Sequence, residues 1–459
     1  MNMQKMEYTG GGMKFPAIEF TPAQLLAVSF LTVIFTGAFL LTCSFSALPG
    51  VEIGFIDALF TSTSAVCVTG LTCIDTITNY SFIGQVIIML LIQFGGLGIM
   101  TIVTFGMSAV SGRVSLRFRL FAREDRPSNT SIDLIELIKY VFIITMTIEA
   151  VGAAILFMVF KYQKGYATLK AMYYGIFHAV SAFCNAGFAL FSDNLMSFDG
   201  NIAVNLVITS LIIIGGIGFN TIVDMLYYVR TKSRYQLSLN TKIVLFTTLI
   251  LLVAGTLIIM AIEYNNPDTI GSFPLWKKVC ASYFQSVTTR TAGFNTIDNG
   301  KMLLPTVLIC MILMFLGASP GGTGGGIKTT TTVVLYKSIM RSIQDDTQIV
   351  IFKKAVPKES ISKAMAIFTI SIILVLSGTF ILLFSENFKF VEILYEVISA
   401  FGTVGLSLGI TTKLTGFGKL VISLVMFLGR VGSLTVVVAL AKAKPKIDVR
   451  YPEEAVLIG

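Results

Sequence analysis

Side chains able to make or break covalent bonds are thinly spread along this chain. It has a single histidine, His178, and six cysteines (Cys43, Cys67, Cys73, Cys184, Cys280, Cys310) with no C-x-x-C pair. Each cysteine lies inside or beside an apolar stretch, which suits neither a transition-metal site nor a disulfide framework. No nucleophile–base pair or paired carboxylate stands out either, so the chain does not read as an enzyme. What recurs instead is backbone chemistry. Four segments read alike: Phe60-TSTSAVCVT-Gly70-Leu71, Phe177-HAVSAFCNA-Gly187-Phe188, Tyr283-FQSVTTRTA-Gly293-Phe294 and Tyr395-EVISAFGTV-Gly405-Leu406. In each, an aromatic stands ten residues before a glycine that is followed by Leu or Phe. Ser64, Ser181 and Ser399 stand six before the glycine, with Val287 in the third segment, and Asp75, Asp193 and Asp298 follow the first three. Glycine permits dihedrals and close approaches that a Cβ forbids. Four such loops around one axis aim carbonyl oxygens inward, where their dipoles replace the hydration shell of a monovalent cation. The bland alternative is a set of glycine-rich turns between helices.

The elements that must hold these segments are membrane helices. Of 459 residues, 54% are hydrophobic and only 13% charged, against about 25% charged in water-soluble domains. Collagen-like, disordered and disulfide-rich secreted classes are excluded. Eight apolar stretches are long enough to span, near 21–45, 79–110, 131–161, 202–229, 239–263, 302–340, 358–385 and 416–441. The second, fourth, sixth and eighth carry glycine pairs or a polar interruption. Lys5, Lys14 and Glu19 before a long first apolar run do not fit a cleavable signal. Most of the 34 Lys and Arg residues fall at the termini and in the loops after the even-numbered stretches, including Arg113–Arg126, Arg230–Lys242, Lys337–Lys363 and Lys442–Arg450. That bias puts both termini in the cytoplasm of a multi-pass cell-membrane protein. The net charge of +9 is then a topology signal, and nucleic acid is not an expected partner.

The helices after the glycine segments repeat as well. Gly95-GLGIM-Thr101, Gly215-GIGFN-Thr221 and Gly429-RVGSL-Thr435 share a second Gly three residues on and a Thr six on. Gly317-ASPGGTGGGIK-Thr329 fits the same frame with six residues inserted. Each unit is therefore a helix, a re-entrant half-helix of about ten residues, too short to span, and a second helix. Irregular backbone survives at membrane depth only when buried in protein or lining water. The expected fold is an all-α polytopic membrane protein with four covalently linked helix–pore-loop–helix repeats around one central pore. It has eight transmembrane helices and four re-entrant pore helices. The expected divisions are an N-terminus 1–20, repeat 1 at 21–112, repeat 2 with its linker at 113–230, repeat 3 at 231–345, repeat 4 at 346–442 and a tail at 443–459. Because the units all run in the same direction, they favour a pore over the inverted repeats of alternating-access carriers.

At these residues the sequence resembles the Trk/Ktr/HKT superfamily of potassium transporters, most of all the membrane subunit of the bacterial Ktr system. AVCVTGL, SAFCNAGF, TRTAGFNT and SAFGTVGL carry the likeness, which extends from about Thr21 to the C-terminus. The resemblance implies potassium uptake, often sodium-stimulated, a homodimer, and a cytoplasmic ring of nucleotide-binding regulatory subunits; none of these follows from composition or spacing. It also implies that Gly70, Gly187, Gly293 and Gly405 are filter glycines, with K+ held by strands Val68-Thr69, Asn185-Ala186, Thr291-Ala292 and Thr403-Val404. Glycine at position 70, where some plant relatives have Ser, favours potassium over sodium. The four strands differ from one another, so selectivity below that of true potassium channels is expected.

The segment Gly317, Ala318, Ser319, Pro320, Gly321, Gly322, Thr323, Gly324, Gly325, Gly326 imitates a phosphate-binding loop, but Ile327 separates the last glycine from Lys328. Proline among small residues breaks a helix, and the resemblance makes this loop an intramembrane gate; a packing kink is the alternative. Arg430 lies at membrane depth, where a cation costs at least about 2.5 kcal/mol, and so faces either the pore, as the family's barrier, or a buried partner in a salt bridge. Lys328 acts similarly or anchors to an acid. Arg290, three before Gly293, is read as bracing the filter from behind. Glu149 is read as bonding to a pore loop and His178 as a packing residue. The basic loops 113–126 and 337–363 anchor the inside face or dock an acidic partner or anionic lipid, and the tail from Asp448 packs in a subunit interface.

Overall fold

The computed structural model describes residues 22–98, 134–230, 236–344, 348–432 and Thr435. The loop 113–126, Thr101, the two termini and the tail from Asp448 lie outside these residues. Among the described residues four helices are long and apolar enough to cross a membrane: α1 (Pro22–Thr42), α4 (Leu134–Tyr162), α8 (Leu239–Glu263) and α12 (Lys358–Ser385). They match the first, third, fifth and seventh apolar stretches. Only 28% of each apolar window is buried, and side chains such as Phe39, Phe384 and Leu249 project outward, as a lipid-facing surface requires. On α1 the hydroxyls of Thr32, Thr36 and Thr42 each donate to the carbonyl four residues back.

Between the long helices lie four short ones, α2 (Phe55–Val66), α5 (Thr168–Phe183), α9 (Leu275–Thr288) and α13 (Phe390–Gly402). They run to 12, 16, 14 and 13 residues, longer than the ten expected, yet still short of a span. They are the inside of the protein. Phe60, Phe177, Phe284 and Tyr395 are fully buried. In the third segment burial shifts one residue, from Tyr283 to Phe284.

The second helix of each unit is α3 (Phe82–Leu97), α6 (Ile202–Gly216), α10 (Leu304–Phe315) and α14 (Gly416–Val431). Ser81, Asn201 and Thr415 cap the first, second and fourth, accepting from the N–H groups of Gly84, Val204 and Gly418. The third starts at a proline, and Glu263 at the end of α8 receives the Leu303 N–H at 2.9 Å instead. The glycine three beyond Gly95, Gly215 and Gly429 ends each helix with positive φ: Gly98 82°, Gly218 93°, Gly432 94°. The stretch 202–229 is therefore not one straight helix. After Gly218 the chain turns by 95° into α7 (Phe219–Arg230). The sixth stretch breaks further: residues 316–328 separate α10 from α11 (Thr329–Gln344).

Candidate functional site

The carboxyl ends of the four short helices converge. Two residues before each conserved-offset glycine, and again at the glycine, the backbone enters the left-handed region. The φ values are 57° and 92° at Val68 and Gly70, 60° and 69° at Asn185 and Gly187, 70° and 76° at Thr291 and Gly293, and 50° and 95° at Thr403 and Gly405. Valine and threonine rarely adopt such angles, and each non-glycine instance costs about 1–3 kcal/mol. Spacing gave no hint of these four strained positions; Asn185 alone is a residue type that tolerates them.

The glycines close a ring. A Cβ built on Gly70 would lie 2.5 Å from the Ala186 carbonyl oxygen, and one on Gly187 would lie 2.8 Å from that of Ala292. On Gly293 it would strike the Val404 carbonyl, and on Gly405 the Thr69 carbonyl. Each segment thus abuts the next, and the fourth returns to the first. The turns are held by hydroxyls. Gly70 and Gly405 donate their N–H groups to Ser64 and Ser399 Oγ at 3.0 and 3.1 Å, and Ser181 Oγ donates to the Phe188 carbonyl at 2.7 Å. Where Val287 interrupts the serine pattern, Thr288 takes over and donates to the Phe294 carbonyl.

On one side of the ring lies a cavity of about 320 Å3, lined by the four glycines and by Asp75, Asp193 and Asp298. Each carboxylate is fixed by an N–H group, of Ile77, Ser197 and Gly300 respectively. On the other side, toward the residues that precede the glycines, sits the 317–326 loop. Gly325 donates its N–H to Thr403 Oγ1 at 2.8 Å, and a Cβ on Gly324 would strike Thr291. The loop is pinned to α6 through Ser319 N–H to Gly216 O (3.1 Å) and Thr323 N–H to Gly215 O (3.2 Å). The Phe219 N–H returns a bond to Gly321 O at 3.0 Å. Two cations hold it as well: Lys328 Nζ donates to Gly324 O at 2.6 Å, and Arg430 donates to the Thr323 and Gly95 carbonyls.

A family model described as TrkH, a cation transport protein, matches residues 16–449. The chain belongs to the TrkH family of cation transport proteins. It is 41% identical over 442 residues to the Ktr system potassium uptake protein B of Bacillus subtilis, covering 96% of this chain and 98% of that one. It is 37% identical to the Ktr system potassium uptake protein B of Vibrio alginolyticus (95% and 94% covered). The potassium/sodium uptake protein NtpJ of Enterococcus hirae is also 37% identical (96% and 97%). The crystal structure of the potassium transporter TrkH from Vibrio parahaemolyticus shares the fold, with a TM-score of 0.73 at 17% identity over 94% of this chain and 87% of that one. This TrkH-family chain is a membrane transporter and not an enzyme.

Three further buried polar side chains of this TrkH-family chain, Arg290, Glu149 and His178, make hydrogen bonds within the protein. Arg290 donates to Thr248 Oγ1 of α8 at 3.1 Å. Glu149 accepts from Gln93 Nε2 at 3.2 Å and touches Cys184 Sγ at 3.9 Å, just past α5. His178 is saturated, with Nδ1 on the Tyr174 carbonyl and Nε2 accepting from the Leu190 N–H, and its ring is stacked on Phe191. Among the described residues the partners of Arg430 are the Thr323 and Gly95 carbonyls and not a carboxylate. Glu396 drew no notice in the sequence. It stands nine residues before Gly405, where the second segment has His178, and it receives the Thr411 hydroxyl at the cavity edge.

Proposed function

We propose that the chain carries potassium into the cell through a channel-like pore running through the glycine ring. The single observation behind this reading is the closed cycle of close approaches, Gly70 to Ala186, Gly187 to Ala292, Gly293 to Val404 and Gly405 to Thr69. In this reading the architecture is four linked helix–pore-loop–helix repeats with eight transmembrane helices, both termini are cytoplasmic, and the repeats divide as the sequence suggests. Val68–Gly70, Asn185–Gly187, Thr291–Gly293 and Thr403–Gly405 form the selectivity filter, and the negative ends of four helix dipoles favour a cation there. Asp75, Asp193 and Asp298 raise its concentration at the outer mouth. Gly317–Gly326 is the gate, closed by its contacts with Thr291 and Thr403, with Lys328 and Arg430 as latches and Arg430 as the electrostatic barrier. Arg290 supports the filter. The relatives' description as a Ktr system supports a partner subunit, read here as a cytoplasmic nucleotide-binding ring on a homodimer.

The test is tracer rubidium or potassium flux in liposomes holding the purified chain. An inside-negative potential alone is expected to drive uptake, and deletion of Ser319–Gly324 is expected to raise it. Unchanged kinetics in the deletion would make the loop a packing kink. The potassium/sodium description of the Enterococcus hirae relative supports a second reading, sodium-coupled symport. A strict requirement for a sodium gradient would favour that reading over the channel.

A further inference from the structure

Away from the ring, where α8 and α11 meet a small hairpin (β1, Val350–Ile351; β2, Lys354–Ala355), two cavities adjoin. One, of about 380 Å3, has an almost wholly apolar lining that includes Phe246, Ile250 and Val333. The other, of about 310 Å3, is polar and holds Lys337 and Arg341. Lys337 and Val350 line both, so the two spaces share a wall. Phe352, at the hairpin tip, also lines the apolar cavity and packs edge-on against Phe246 with ring centroids 6.0 Å apart.

The hairpin tip is strained. Phe352 and Lys353 have φ of 48° and 62°, angles that a two-residue hairpin normally fills with Asn-Gly. A bulky residue held there costs about 1–3 kcal/mol, and such strain gathers at ligand clamps. What it achieves here is an aromatic wall on the cavity with Lys353 and Lys354, both exposed, next along the chain. Phe246, Tyr336 and Phe352 nevertheless stay about half exposed (56%, 58% and 47%), so among the described residues none covers this apolar face.

An apolar slot joined to a basic one fits an amphiphile with an acyl chain and a negative head. We propose that these two cavities bind an anionic phospholipid of the cytoplasmic leaflet, chain against Phe246 and Ile250, phosphate on Lys337 and Arg341. The side of the membrane rests on the topology proposed above; the binding itself does not. Because α11 begins at Thr329, directly after the 317–326 loop, lipid seated against Val333 and Lys337 braces the helix that carries that loop.

The experiment is native mass spectrometry of the purified full-length chain, released from mixed micelles containing equal phosphatidylglycerol and phosphatidylcholine. Preferential retention of phosphatidylglycerol is expected, falling about fivefold for each basic side chain removed in Lys337→Gln and Arg341→Gln. Ile250→Trp, which fills the slot and leaves every charge, should abolish retention of both lipids. Equal retention of the two lipids by the unmodified chain overturns the proposal, as does retention unchanged in all three variants. Competition by glycerophosphoglycerol, the headgroup without chains, as strong as by the whole lipid would mark a phosphate site instead and also overturn it. Ile250→Trp that changes the oligomeric mass while sparing lipid retention would assign the face to a second copy. None of these readouts needs transport, so failure of the pore reading leaves this test intact.

Discussion

Replacing Gly187 by alanine probes the ring with a control built into the chain. Gly187 and Gly165 share a left-handed φ, 69° and 70°, so an alanine suffers similar strain at both, about 1–2 kcal/mol. Their surroundings differ. A Cβ on Gly165 meets nothing within 4 Å, whereas one on Gly187 lies 2.8 Å from the Ala292 oxygen and 3.0 Å from Gly293 Cα. Ordinary contact begins at 3.4 Å, so Gly187→Ala must push that carbonyl by roughly 0.6 Å in a close-packed setting. A carbonyl displaced from a cation forfeits about 1.5–3 kcal/mol, by analogy with hydrogen bonds to charged groups. That is roughly a ten- to hundredfold fall in occupancy. Rubidium flux into liposomes, normalised to folded protein, and the thermal midpoint in detergent measure the two effects separately. Gly165→Ala should lose stability and keep its flux; Gly187→Ala should lose at least tenfold in flux. Equal flux from the two variants would refute the idea that these carbonyls handle the ion.

Arg430→Gln removes the charged donor to the Thr323 and Gly95 carbonyls, and potassium flux should rise; a fall in flux with the fold intact would mean that Arg430 does not hold the loop shut. Ser64→Ala strips the acceptor from the Gly70 N–H and should lower stability by about 1–3 kcal/mol, read as a drop in thermal midpoint. Thr288→Val should cost a similar amount through Phe294, since threonine there stands in for the missing serine. Glu263→Ala leaves three donors, from Asn266, Thr269 and Leu303, without their carboxylate. Its expected loss is at least about 3 kcal/mol, visible as poor folded yield, and an unchanged midpoint would show that water replaces it.

Much of the architecture is local enough to be legible in one dimension. The long helices follow from apolar length, because a backbone in lipid must bond within its own segment. The glycines at 70, 187, 293 and 405 stand out because a fixed aromatic–glycine offset recurs, and Gly95, Gly215 and Gly429 because a second glycine follows three residues on. Even the break between Phe315 and Thr329 is a matter of composition. Other features depend on pairs far apart along the chain, and no local pattern encodes them. Which glycine meets which carbonyl appears only once the fourth segment closes on the first. The 95° turn at Gly218 lies in a stretch whose glycine pair marks an interruption but not its angle, because a windowed average is blind to a single dihedral. Thr288 takes the serine's part because the third turn is offset by one residue, and residue identity alone pointed to Val287. Arg430 illustrates the division best. Its sequence neighbours place a cation at membrane depth, where it must find a partner, but only the folded chain brings the carbonyls of Thr323 and Gly95 within its reach.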